Sequence, residues 1–132
     1  MKLLDSTFII DLLHKNEEAL KKAKRENDTK LFFTDLNIYE VSLGIYHLDK
    51  PKSDMAMKAF RELVQNLYYL PLTTEASFKS AQIKANLMKK GVTIDDIDCI
   101  MVAIALLNKV NTIITRNIKH FSVIDKIKVE PY

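Results

Sequence analysis

The sequence has few of the residues that staple, kink or loosen a chain: one cysteine, three prolines, two glycines and no tryptophan in 132 residues. The lone Cys99 excludes an internal disulfide and points to a reducing compartment. With so little glycine and proline, no Ser/Gly-rich stretch and no internal repeat, no linker divides the chain, and residues 1–132 read as a single domain. The longest apolar run, Cys99–Leu107, is about half of the ~20 residues that cross a membrane, so no membrane partner is expected. The opening MKLLDSTFIIDLL is broken by Asp5 and Asp11 and lacks the apolar core and small-residue cleavage site of a signal peptide, so a cytoplasmic location is expected. Neither sign of charge dominates, since 20 Lys and Arg face 17 Asp and Glu for a net charge of +3. That balance permits a nucleic-acid partner without arguing for one. The densest basic segment, Lys21, Lys22, Lys24 and Arg25, is interleaved with Glu17, Glu18 and Glu26 and reads as a solvated helix face.

Apolar residues make up 48% and charged residues 28% of the sequence, a globular balance. A chain of this length buries roughly 65–70% of the surface its unfolded form exposes and needs no staple to fold. Short apolar runs alternate with longer amphipathic ones. Strands are expected at Lys2–Leu4, Leu31–Phe33, Leu67–Leu70, Thr112–Thr115 and, at an edge, Ile127–Glu130. Helices are expected over about Thr7–His14, Glu17–Asn27, a segment capped by Thr34 or Asp35, Ser53–Asn66, a segment capped by Thr74 that ends at Gly91, and Asp95–Asn108. In the third of these, Leu36, Tyr39, Leu43 and Tyr46 recur at three- and four-residue steps and form its expected buried stripe. The last helix is apolar on nearly every side and must lie buried between other elements. The expected architecture is α/β, a parallel sheet of four to five strands flanked by helices through right-handed crossovers.

In such sheets ligands bind beyond the carboxyl ends of the strands. Asp5 stands at the end of the first strand and Asn117 just past the fourth, while Asp95, Asp96 and Asp98 open the apolar helix on the same side. Capping alone can explain Asp5. First-turn acids gain about 0.3–1 kcal/mol from the helix dipole, which accounts for one or two of the later group. Three acids within four residues exceed that need. Glu40 lies beside Leu36 and Leu43, and its neighbour Gly44 costs about 1 kcal/mol relative to Ala in a helix, which suggests a site with room above it. Glu40 also reads as an amphipathic side chain reaching solvent. Carboxylates that converge repel unless a cation neutralises them. An all-oxygen donor set suits Mg²⁺, with Mn²⁺ as a substitute, whereas one cysteine and three scattered histidines disfavour zinc. An acid-held Mg²⁺ suits phosphodiester hydrolysis by a metal-activated water.

Three segments, LLDSTFIIDLL, TDLNIYEVSLGIY and GVTIDDIDCIMVAIALLNKVNTIITRNIKHFSVI, stand in an order that resembles the toxin ribonucleases of the VapBC toxin–antitoxin class within the PIN-domain family. The resemblance covers nearly the whole chain and implies a PIN-like three-layer sandwich. It implies that Asp5, Glu40 and Asp98 are the catalytic acids, that Asp5 and Asp98 ligate Mg²⁺ with Glu40 direct or through water, and that Asp96 is an accessory metal acid, with Asp95 left as a cap. Thr7 stands where the family often has Asn; its hydroxyl is expected to donate to Asp98 or to a phosphate. The family's fourth acid is missing: the region reads Thr115-Arg116-Asn117, and His120 precedes the phenylalanine. That departure implies a single-metal or substrate-completed site. Thr7, Arg116, Asn117 and His120 are the candidate substrate contacts, although Arg116 also reads as half of a structural ion pair and His120 as a surface residue. The implied function is an Mg²⁺-dependent endoribonuclease toxin with an RNA substrate, a cognate antitoxin and a homodimeric state. Tyr68, Tyr69 and the apolar residues of Met55–Leu67 would line protein interfaces, or else pack in the core.

Two rivals differ in class. A receiver-like Mg²⁺-binding signalling module would need paired acids after the first strand and a lysine ending the fifth, and the segment after Leu4 offers only Asp5. A non-catalytic scaffold of the same fold fits the missing fourth acid but leaves Asp5, Glu40 and Asp98 without a role.

Overall fold

A computed structural model describes residues 1–132. Its elements run β1 (Lys2–Leu4), α1 (Ser6–Leu13), α2 (Glu17–Arg25), β2 (Leu31–Thr34), α3 (Asp35–Tyr46), α4 (Lys52–Val64), β3 (Tyr68–Leu70), α5 (Thr74–Lys89), α6 (Asp96–Leu107), β4 (Thr112–Ile114), α7 (Ile118–Phe121) and β5 (Lys128–Glu130). The five strands form one sheet in the order β3-β2-β1-β4-β5, and every neighbouring pair is parallel. Parallel neighbours need crossovers, and helices supply those between the strands.

The pleat divides the core. Leu3 pairs with Ile113 and Leu4 with Ile114, so alternate side chains point to opposite faces. Leu3 and Ile113 join Met101, Val102, Ile104 and Phe121 on the face covered by α5 and α6. Leu4 and Ile114 join Phe8, Ile9, Phe33, Val41, Ile45 and Phe60 under α1, α3 and α4. The result is the three-layer sandwich expected from the sequence, with β1 central and buried on both sides. Helix α6, apolar from Cys99 onward, is buried along most of its length, as its composition requires.

Several local readings shift. The cap of α1 is Asp5, whose carboxylate accepts from Ser6 N–H, so the helix starts one residue before Thr7. Thr73, not Thr74, caps α5, and Pro51, not Ser53, precedes α4. The short α7 was not expected; it follows the tight segment after β4 and buries Phe121. The largest correction concerns α3. Its buried residues are Asn37, Val41 and Ile45, while Tyr39, Leu43 and Tyr46 are 58%, 58% and 68% exposed. The helix is turned so that a polar residue, Asn37, faces inward to meet β1 and α1, which leaves Leu36 packed against the core and turns Tyr39, Leu43 and Tyr46 into solvent.

A charge network ties α2 to strands β1 and β5. Lys2 Nζ lies 2.8 Å from Glu26 and 2.7 Å from Glu130, and Lys22 Nζ lies 3.0 Å from both. Hydrogen bonds from Lys2 and then Lys22, working against partial burial, hold Glu130 down at about 2. A carboxylate depressed on folding stabilises the protein above its unfolded pKa and loses that contribution as pH falls through its folded value. Glu130→Gln is therefore expected to cost about 1–2 kcal/mol at pH 7 after allowance for solvent screening. The difference from wild type should shrink below about pH 4.5 and vanish near pH 2, as read from urea midpoints across that range.

Candidate active site

Elements from both halves of the chain meet at the carboxyl end of β1. Asp5 follows β1 directly, and its backbone N–H donates to Ile114 O of β4 at 3.0 Å, which fixes the residue at the rim. The side chain is buried and heavily donated to. Ser6 N–H donates to Oδ1 at 2.7 Å, and the hydroxyls of Thr7 and Thr115 each donate to Oδ2 at 2.6 Å. Thr115 directly follows β4 and is fully buried, so one carboxylate joins the ends of two strands and a helix start.

Glu40 approaches from α3. Its Oε2 accepts from Ser6 Oγ at 2.6 Å. Ser6 Oγ in turn accepts from Asn37 Nδ2 at 3.0 Å. Asn37 is fully buried and also donates to Leu4 O at 3.0 Å while accepting from Thr34 N–H at 2.8 Å. Asn37 thus caps α3 and anchors it to β1, one turn before Glu40. Burial pushes Glu40 above the usual carboxylate range; the Ser6 hydroxyl opposes this, and the charges of Asp5 and Asp95 add to it.

Asp98 comes from the first turn of α6 and is buried. It is pushed up to about 6, by burial first and then by the negative charge of Asp5, with nearby His120 pulling the other way. His120 Nδ1 lies 3.2 Å from Asp98 Oδ2, and the imidazole is 58% exposed. Three acids of distant sequence position therefore sit near enough for Asp5 to raise both others, while no cationic side chain other than His120, when protonated, faces Asp98.

The remaining expected residues divide. Asp95 caps α6 through Ile97 N–H at 2.8 Å. Asp96 does not join the acids: it is 80% exposed and pairs with Lys84 of α5 at 3.2 Å. An acid one residue after the cap points outward, whereas the third helical position turns Asp98 inward. Thr7 donates to Asp5 rather than to Asp98. Arg116 is engaged by buried Asp11 at 3.0 Å, in the ion pair that was its alternative reading, and Tyr132 Oη donates to the same carboxylate at 2.7 Å. Asn117 is half-buried, and its backbone N–H donates to Thr115 Oγ1 at 2.9 Å. Gly44 is not needed to make room: a Cβ there would touch nothing within 4 Å. Ser6, Asn37, Thr115 and Asp11 were not singled out from sequence. A polar pair at Asp5-Ser6 and a hydroxyl residue ending a β-branched strand were the available signals.

A PIN-domain family profile matches residues 2–127. The chain belongs to the PIN-domain family. No curated protein sequence matches it. Among solved structures, this PIN domain is similar to a chain of Rickettsia felis VapBC2 bound to a DNA fragment from its promoter (TM-score 0.88, 16% identity, covering 99% of this chain and 98% of that one). It is also similar to a chain of Neisseria gonorrhoeae FitAcB (0.87, 21%, 98% and 96%) and to one of DNA-bound Salmonella typhimurium VapBC (0.86, 19%, 98% and 96%). The PIN fold here is a five-stranded parallel sheet, and the acids of interest lie at its carboxyl rim.

The family implies a divalent metal. No group of three or more His, Cys, Asp or Glu side chains is arranged to hold an ion by itself. The donor chemistry nonetheless fits Mg²⁺, an oxygen-seeking ion that keeps several waters and takes only one or two carboxylates from the protein. Two acids whose ionised forms are disfavoured by burial and by each other's neighbour Asp5 have the electrostatic demand that such a cation meets.

Proposed function

We propose that this PIN domain is an Mg²⁺-dependent endoribonuclease, the toxin of a type II toxin–antitoxin pair, acting in the cytoplasm. The observation that carries the reading is the convergence of Asp5, Glu40 and Asp98 at one rim, with Asp5 held by three donors and the other two pushed toward protonation by burial. Asp5 and Asp98 would hold the ion, and Glu40 would reach it directly or through water. The bound ion would supply Lewis acidity at the phosphoryl oxygen and a lowered pKa for the attacking water. Thr7 and Thr115 fix the direction of Asp5, and Asn37 through Ser6 fixes that of Glu40. His120, beside Asp98 and largely exposed, is placed to meet substrate or move a proton. Lys119 and His120 line a cleft with Thr93, Ile94 and Asp95 that an RNA phosphate would enter. Arg116 holds Asp11 through Nη1 alone and is largely exposed, so the rest of its guanidinium would meet a phosphate with the ion pair kept. The exposed Tyr39, Leu43 and Tyr46 of α3, with half-exposed Tyr68 and Tyr69 on edge strand β3, offer apolar surface for a second copy or an antitoxin. The similar chains of VapBC and FitAcB complexes, each described with its partner, support that reading.

The test is cleavage of a labelled structured RNA. Activity should require Mg²⁺ or Mn²⁺, cease in EDTA and return when metal is restored. Cleavage that survives EDTA, or equal activity in Asp5→Asn, would remove the mechanism. Ser6→Ala frees one oxygen of Glu40 and removes an acceptor from Asn37. It is expected to lower single-turnover cleavage about 10–100-fold, the usual cost of losing a ligand's hydrogen-bonding partner. Stability should fall by about 1–3 kcal/mol, because buried Asn37 loses an acceptor, as measured by urea melts.

A further inference from the structure

The end of α6 opposite Asp98 borders a second concavity. From Asp98 to Leu106 the helix rises about 12 Å, so this surface is separate from the acidic rim. It is a cleft of about 400 Å³ between α5, the end of α6 and residues 123–126. Lys79 and Lys89 of α5, Lys90 at its carboxyl cap and Lys126 stand around it, and Asp125 is the one acid among its lining residues. None of the four lysines is engaged in an ion pair. Lys89 and Lys90 also suit the negative end of the α5 dipole, but Lys79 lies mid-helix and Lys126 comes from another segment, so the dipole does not account for the group. The floor is aliphatic, including Ile83, Leu106 and Val123, and holds no aromatic side chain.

These features select among anionic partners. A single-stranded nucleic acid would find phosphate contacts but no ring on which a base could stack, so it would forgo the stacking that adds affinity base by base in such grooves, and it would leave the aliphatic floor unused. An amphipathic helix would use both halves of the surface, its apolar side chains against the aliphatic floor and its acids on the lysine rim. The lining runs along α5 from Lys79 to Lys90 on one face, a length of about 16 Å that matches a helix of roughly eleven residues. We infer that this cleft docks an acidic amphipathic helical segment of another protein, at a surface distinct from the acidic rim and independent of whether that rim cleaves RNA.

The probe is a fluorescein-labelled twelve-residue peptide with leucines at positions 2, 5, 6 and 9 and glutamates on both flanks, compared by anisotropy with a scrambled peptide of the same composition and with a twelve-nucleotide oligouridylate. Saturable binding of the patterned peptide is expected, weakened by added salt and by at least tenfold in Lys89→Glu/Lys126→Glu, with Val123→Asp as a second variant acting on the floor. All three substitutions are at exposed positions, and circular dichroism checks that the variants remain folded. Equal binding of the scrambled peptide, no loss in either variant, or no binding of the patterned peptide would overturn the inference. Preferential binding of the oligouridylate, lost in the lysine variant, would overturn it in favour of an RNA surface.

Discussion

Asp98→Asn is expected to raise the melting temperature at pH 7.5 and, in the same protein, to abolish Mg²⁺-dependent RNA cleavage. Asp98 is buried at the start of α6, and its carboxyl is pushed up to about 6 by burial and then by the charge of Asp5. An acid whose folded-state pKa lies above its unfolded one destabilises the fold wherever it is ionised in both states. The displacement of about two units sets an upper limit of about 3 kcal/mol. Solvent at the rim screens the effect, leaving about 1–2 kcal/mol and a rise of about 3–6 °C for a domain of this size. Asn keeps the shape and an acceptor for His120 while removing the charge. The gain should shrink as pH falls through about 6, where wild-type Asp98 protonates, and be mostly gone near pH 4. Added Mg²⁺ should stabilise wild type and leave Asp98→Asn nearly unmoved, because a ligand that binds the native state stabilises it only where it binds. Thermal scans with and without Mg²⁺ at three pH values read all of this. A variant that melts below wild type at pH 7.5 would show that the charge is already compensated within the protein.

The strands and the acids were legible in the sequence because each rests on a local rule. Lys2–Leu4 and Ile113–Ile114 are apolar runs next to a carboxylate or a hydroxyl, and a parallel sheet brings such ends to one rim. The apolar composition of α6 required burial, and burial of α6 carries Asp98 inward. What was not legible depended on rotation and pairing. The period of Leu36, Tyr39, Leu43 and Tyr46 identifies a helix but not which face turns in. Asn37, through its hydrogen bonds to Leu4 O, Ser6 Oγ and Thr34 N–H, settles that instead. Asp96 was expected beside Asp98 because the family resemblance implied an accessory acid at that position. In the structure its place in the first turn leaves it exposed, where it pairs with Lys84. The coupling of Arg116, Asp11 and Tyr132 joins residues more than a hundred positions apart and has no local signature.

Asp5→Asn should also eliminate cleavage, by more than about 100-fold, since it removes the charge of a carboxylate proposed to hold the ion, whereas Ser6→Ala removes only a supporting hydrogen bond. Its effect on stability should be the reverse of that of Asp98→Asn. Asp5 is buried among donors: Ser6 N–H on one oxygen, and the Thr7 and Thr115 hydroxyls on the other. An asparagine can keep its carbonyl on Ser6 N–H, but its amide then faces two hydroxyls that must turn to accept. Thr115 is fully buried, so no water compensates if its hydroxyl fails to turn. The cost is about 1–3 kcal/mol, seen as an earlier urea midpoint. Thr115→Val in the Asp5→Asn background removes the misdirected donor, so the double variant should lose less than the sum of the single losses, as coupled neighbours do. Two isosteric replacements at one rim would thus share a loss of activity and differ in the sign of their effect on folding. If Asp5→Asn instead stabilised the protein, the donors around Asp5 would not be favouring a carboxylate over an amide, and that side chain would lose its place as the proposed anchor of the site.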